Sequence, residues 1–176
     1  MTGQSPAPNV RRASLEDAKL LAELGARTFD ETFAKDNSPE DMAAYLADAF
    51  DVGRLTAELA DPLFVYLIAE VEGSAAGYAK IRAGGASGEV GGDSPVELVR
   101  LYVSQEWLGR GVGHALMRRC IDEARGLGFR TIWLGVWERN RRAQAFYRKW
   151  DFQEVGEHIF QLGSDPQRDI VMRRAV

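Results

Sequence analysis

The residues with the clearest capacity for chemistry lie between positions 96 and 115. A nearly continuous apolar run, 96–103, is broken only by Glu97 and Arg100 and reads as a strand. It leads into Gln105-Glu106-Trp107-Leu108-Gly109-Arg110-Gly111-Val112-Gly113, and a helix continues from His114 and Ala115 to about Arg125. Glycines at 109, 111 and 113 let the backbone approach a ligand with its N–H groups exposed. The helix that follows adds its unpaired N–H groups and the positive end of its dipole. That combination binds anions, most naturally a phosphate or pyrophosphate. The Gly-Lys-Ser/Thr ending of a P-loop is absent. The dinucleotide fingerprint fails on spacing, since position 114 is histidine. Taken alone, the glycines are equally compatible with a purely structural turn.

A second constellation follows. The strand 131–136 precedes Asn140, Ala143, Phe146, Tyr147 and Phe152. On a helix, Ala143 shares a face with both Phe146 and Tyr147, and the small residue permits close approach of a ligand or of a sheet.

These residues need a scaffold to hold them. Residues 9–13 read as a short strand, and Ser14 to Asp17 as a capping box with Asp17 in the glutamate position. Helical periodicity runs over 15–33. Ser38 and Pro39 open a second helix to about Phe50, and 51–60 adds a further helical turn or two. The period then changes to that of strands at 63–71 and 76–82, joined at Glu72-Gly73. A glycine-rich loop covers 84–93. A helix over 139–150 and a last hairpin, 152–162 with 169–173 turned at 163–166, complete the order β-α-α-β-β-β-α-β-α-β-β. Residues 1–8 read as a flexible tail and 9–176 as a single α/β domain.

Composition removes several classes of function. The chain has 176 residues, enough for one domain with a full core. Its net charge of −4 argues against a nucleic-acid binder that relies on a cationic surface. One cysteine, Cys120, rules out an internal disulfide and a cysteine-rich metal site. Two histidines, His114 and His158, lie far apart and outside any nucleophile motif, so no metal is expected and both side chains read as structural. No signal-like or membrane-length apolar run is present, which leads to an expectation of a cytoplasmic protein without membrane or nucleic-acid partners.

Together, residues 96–113 and 131–152 resemble the acetyl-CoA-binding motifs of the GNAT superfamily of N-acetyltransferases. The first matches a strand ending in Tyr102-Val103 followed by the glycine turn; the second matches Asn140-x-x-Ala143-x-x-Phe146-Tyr147 and then Phe152. Leu108 stands where the family usually has Gln or Arg, and Asp151 where it usually has Gly before Phe152. Within the superfamily the chain is most similar to the PaiA-like spermidine/spermine acetyltransferases, through Phe29-Asp30-Glu31-Thr32-Phe33, Asn37 to Glu40, Trp133 to Glu138, and Gly156-Glu157-His158.

The resemblance implies a mixed, mostly antiparallel sheet of about seven strands with flanking helices, and acetyl-CoA as co-substrate. It implies direct attack by a primary amine, with a polyamine as acceptor; a peptide N-terminus, a lysine, or a silent acyl-CoA sensor are the alternatives. Tyr147 is the implied acid for the leaving thiolate, and Glu97 the implied base acting through water. Leu101, Tyr102 and Val103 would meet the pantetheine arm. Residues 108–115, namely Leu108, Gly109, Arg110, Gly111, Val112, Gly113, His114 and Ala115, would hold the pyrophosphate. Asn140, Ala143 and Phe146 would complete the cofactor side. Arg141 and Arg142 read as a solvated helix face. For a cationic acceptor the candidates are Asp30, Glu31, Phe33, Trp137 and Glu138, with Glu40, Asp41 and Trp133 behind them. The C-terminal hairpin would permit a homodimer.

Overall fold

A computed structural model describes residues 6–85 and 90–176. The first five residues of the expected tail and residues 86–89 of the glycine-rich loop lie outside the described residues.

Seven strands form one sheet in the order β1-β2-β3-β4-β5-β7-β6. They are β1 (Asn9–Arg12), β2 (Phe64–Val71), β3 (Ser74–Ala83), β4 (Pro95–Val103), β5 (Thr131–Trp137), β6 (Gln153–Leu162) and β7 (Asp165–Ala175). Only β4 and β5 run parallel; every other pair is antiparallel. The helices are α1 (Ala18–Phe33), α2 (Pro39–Ala49), α3 (Val52–Ala60), α4 (Val112–Gly126) and α5 (Arg141–Lys149).

Local chemistry sets the boundaries. The Ser14 N–H donates to Asp17 Oδ2 at 2.8 Å, closing the capping box. The Ser38 hydroxyl accepts from the Asp41 N–H ahead of Pro39, and the Asp51 carboxylate caps α3 in the same way. That third cap makes α3 a full helix rather than a turn or two. The last hairpin is tighter than expected. Leu162 pairs with Asp165 across Gly163-Ser164, so Asp165 and Pro166 belong to β7. Pro166 is tolerated because β7 meets β5 only from Asp169 onward, so at Pro166 it has β6 alone as a neighbour. Asp151 takes φ 63°, the left-handed conformation that its position after α5 requires.

The two faces of the sheet bury separate cores. Leu116, Met117, Cys120 and Ala124 of α4 pack with Tyr147 of α5 against Leu67, Ala79, Leu98, Ile132 and Leu134. Leu21, Leu24 and Phe29 of α1 pack with Met42, Phe50 and Leu55 against Tyr66, Ile68 and Tyr78. This second face holds a buried ion pair, with Lys80 donating to Glu58 at 2.6 Å; burial, then the nearby Arg100, pulls the Lys80 ammonium down to about 8.

Cys120 is fully enclosed, and burial, reinforced by Glu123, pushes its thiol well above the usual range. The native chain should therefore leave a disulfide-exchange reagent such as DTNB unreacted over minutes. The single thiol should titrate at once in guanidinium. Rapid reaction of the native chain would show that this core opens readily.

Candidate active site

β4 pairs with β5 over three positions only, Pro95, Val96 and Glu97 against Thr131, Ile132 and Trp133. β3 stays with β4 as far as Val103, and β7 stays with β5 as far as Trp137. The two central strands therefore diverge from Glu97 onward, and the outer edge of β4 over residues 98–103 has no strand partner. A bulge assists the divergence. Lys80 pairs with Arg100 and Ile81 with Leu98, which leaves Val99 as the extra residue and adds local twist.

A cavity of about 860 Å³ fills this opening. One half lies between the free edge of β4 and the starts of α4 and α5. The other lies beneath α1, α2 and the β6–β7 hairpin.

The first half offers a glycine turn and a helix start without a side-chain cap, suited to an anionic group. Gly109 and Gly111 adopt φ 76° and 84°, and a Cβ at either would meet nothing within 4 Å. Gly111 is the N-cap of α4 and offers no side chain, and the helix ladder begins only with the Ala115 N–H on the Gly111 carbonyl at 3.0 Å. The N–H groups of the first turn are thus available to a phosphate. Leu101, Tyr102, Val103, Leu108, Gly113 and His114 line the cavity beside them. Arg110, Val112 and Ala115 do not: Arg110 lies over the Trp107 ring at 5.3 Å, and Val112 is buried in the core. Asn140 caps α5, its Oδ1 accepting from the Ala143 N–H at 3.1 Å, and lines the same half with Ala143, Phe146 and Arg142.

Tyr147 also reaches this wall, held edge-on between Phe146 at 5.5 Å and Phe152 at 5.7 Å. Burial, with Cys120 nearby, pushes its hydroxyl well above the usual tyrosine range, so it stays protonated at neutral pH. Glu97 stands at the apex of the divergence, with its carboxylate accepting from Arg82 of β3.

The second half is largely aromatic. Phe33 lies 5.9 Å from Trp137 and 6.1 Å from Tyr102, and Tyr45 lies 5.5 Å from Phe160. Of the acidic residues expected for a cationic acceptor, only Glu31 reaches the cavity wall, and it accepts from the Gln105 N–H at 3.0 Å. Asp30 and Glu138 lie outside that wall; Glu138 pairs with Arg168 at 3.3 Å. Asp41 binds the Ser164 N–H and hydroxyl and so pins the β6–β7 turn onto α2. Trp133 packs on Val90 and Val171.

Asp169, Tyr45 and Phe160 line this wall although no signal in the sequence marked them. His158, read from the sequence as structural, lines it too, with its Nε2 3.4 Å from Asp169 Oδ2. Its place follows from the hairpin register, which sets it opposite Asp169 and in step with Phe160 and Leu162. The partner strand was legible as the other half of the last hairpin; the register was not, because the turn is tighter than the 163–166 expected.

A split parallel pair, a glycine-capped helix start and a buried tyrosine at the split together suit a CoA-dependent acyltransferase. Residues 26–152 match the model of the acetyltransferase (GNAT) family. An uncharacterized N-acetyltransferase of Lactobacillus delbrueckii subsp. lactis is 33% identical over 94% of this chain and 95% of its own length. The N-alpha-acetyltransferase RimI of Mycobacterium tuberculosis is 30% identical over 89% of this chain and 85% of its own. Among solved structures, the PaiA N-acetyltransferase of Thermoplasma acidophilum in complex with coenzyme A superposes with TM-score 0.75 at 19% identity, covering 97% of this chain and 99% of that one. The chain belongs to the GNAT family of acetyltransferases. It is an acetyl-CoA-dependent N-acetyltransferase.

Proposed function

We propose that the acceptor is a primary alkylamine, with polyamines such as spermidine and spermine as the leading class, acetylated by direct attack on the thioester. The observation that carries this reading is the meeting, in one cavity, of an aromatic wall, a glycine-capped helix start and the protonated Tyr147 hydroxyl. Phe33, Tyr45, Trp137 and Phe160 cover methylenes and attract an ammonium through their ring faces. The resemblance of residues 29–33, 37–40, 133–138 and 156–158 to the PaiA-like spermidine/spermine acetyltransferases supports the same class.

In this mechanism the outer edge of β4 aligns the pantetheine arm as an added strand would be aligned. The Gly109–Gly113 turn holds the pyrophosphate. The amine must lose a proton before attack, since an alkylammonium has a pKa near ~10.4. Tyr147 gives its proton to the sulfur as the C–S bond breaks.

A peptide N-terminus is the second reading. It is favoured by the 30% identity to RimI, and by the absence of a row of carboxylates along the described cavity wall.

The test is CoA thiol release by the purified chain with acetyl-CoA and a panel of spermidine, spermine, putrescine, lysine, aminoglycosides and N-terminal peptides. Turnover on spermidine or spermine is the expected result. Turnover on peptides alone would replace the polyamine reading with the peptide one. Binding of acetyl-CoA without turnover on any amine would point to a sensor.

A further inference from the structure

Gly135 sits on β5 two residues past Trp133, the last position paired with β4, and so roughly 7 Å up the open edge of the cleft. Its place beside the backbone is not empty. A Cβ built on Gly135 would lie 2.7 Å from His158 Nε2, 2.8 Å from His158 Cε1 and 3.1 Å from Asp169 Oδ2. The imidazole therefore occupies the space of the missing side chain, over the strand, where β4 and β5 have separated. Asp169 Oδ2 stands 3.4 Å from His158 Nε2, and the Asp169 side chain is buried while the imidazole is partly open to the cavity. The Trp133 ring meets the imidazole edge-on at 6.5 Å.

Other charged or titratable groups on the acceptor side of the cavity are Glu97, Arg100 and Tyr102 on β4, Glu31 on α1, Lys35 just after it, Tyr45 on α2 and Tyr147 on α5. Glu97 is engaged by Arg82 and Glu31 by the Gln105 N–H. Tyr147 is held protonated by burial. The imidazole, with a buried carboxylate beside it, is the group on this wall best suited to take up a proton near neutral pH.

We propose that His158 is a catalytic residue that takes the proton from the acceptor ammonium, with Asp169 as the positioning residue that orients the ring and stabilises its charged form. This rests on the amine-acetyltransferase reading above. The proton count closes. The ammonium gives one proton to the imidazole, which passes it to solvent. The freed lone pair forms the C–N bond as the C–S bond breaks, and the sulfur takes a proton from Tyr147. The second proton shed by the nitrogen restores the tyrosine. The net release is one proton per acetyl group transferred.

The experiment measures kcat/KM for spermidine from pH 6 to 10 in the wild-type chain, His158→Gln and Gly135→Ala. Should spermidine not be the acceptor, the best amine of the panel replaces it. His158→Gln should lower kcat/KM about 100-fold near neutral pH. The deficit should shrink as the pH approaches the acceptor's own pKa of ~10, where a free amine needs no base. KM for acetyl-CoA should not change. Gly135→Ala leaves the imidazole in the chain but forces it aside, and should give a deficit of the same pH dependence. It carries the test if His158→Gln fails to fold. A deficit independent of pH, or no deficit, in a wild type that turns over would overturn the role of His158 alone. No turnover of any amine by the wild type would overturn the amine reading, and this role with it.

Discussion

Tyr147→Phe is expected to lower kcat by about 100- to 1,000-fold, within the range that a positioned general acid contributes. The substitution removes one oxygen and keeps the ring, so the edge contacts with Phe146 and Phe152 survive. The KM for acetyl-CoA should therefore remain near the wild-type value, because the lost interaction is made when the thiolate leaves and not when the thioester binds. The pH dependence has a definite sign. An acid must be protonated to act, and burial holds the Tyr147 hydroxyl above the ordinary tyrosine value. No descending limb in kcat attributable to this group should appear below pH ~10. Measurement of kcat and KM for both substrates, together with the melting temperature, checks this. A variant that folds, binds acetyl-CoA and turns over at the wild-type rate would reduce Tyr147 to a packing residue.

Gly111→Leu should weaken acetyl-CoA binding by about 100-fold, or about 2.8 kcal/mol. The substitution has two separable effects, of which the obstruction sets the loss of affinity. At φ 84° any residue with a Cβ is strained, by about 1–2 kcal/mol. The space above Gly111 is also open to at least 4 Å, and a leucine would fill the approach to the N–H groups at the start of α4. The strain appears in the free protein as a fall in melting temperature of about 3–6 °C, the size expected for a chain of this length. The obstruction appears only in binding. Gly111→Ala separates them: it carries most of the strain and little of the obstruction. Calorimetric titration with coenzyme A on all three chains is the measurement. A leucine variant that melts lower yet binds with wild-type affinity would place the phosphates elsewhere.

The sequence by itself determined the elements and the half of the site that lies close along the chain. The run from Val96 to Gly113 is contiguous, so strand, turn and helix start are positioned by local geometry alone. Gly109 and Gly111 are needed where φ is positive, and Asn140 caps α5 three residues before Ala143. Such features follow from short-range sterics and hydrogen bonding, which composition and spacing reveal. The apolar face of α1 was legible in the same way, from its helical period.

The acceptor half was decided by tertiary structure. Its wall brings together Phe33, Tyr45, Trp137, His158 and Asp169 from five elements, and no local rule relates them. The carboxylates near Phe33 suggested an acidic groove. In the fold Asp30 and Glu138 lie away from the wall, Asp41 ties down a turn, and Glu31 caps a backbone N–H. Lys80 is a parallel case: a lone lysine in a strand, it becomes a buried ion-pair partner of Glu58 only when α3 packs on β2. The physical reason is common to all of these. A charged side chain can be solvated, paired or aimed at a ligand at similar net free energy, and the choice among them depends on which element covers it. His158 shows the consequence most clearly, because its neighbours at Gly135 and Asp169 are supplied by the strand order β5-β7-β6.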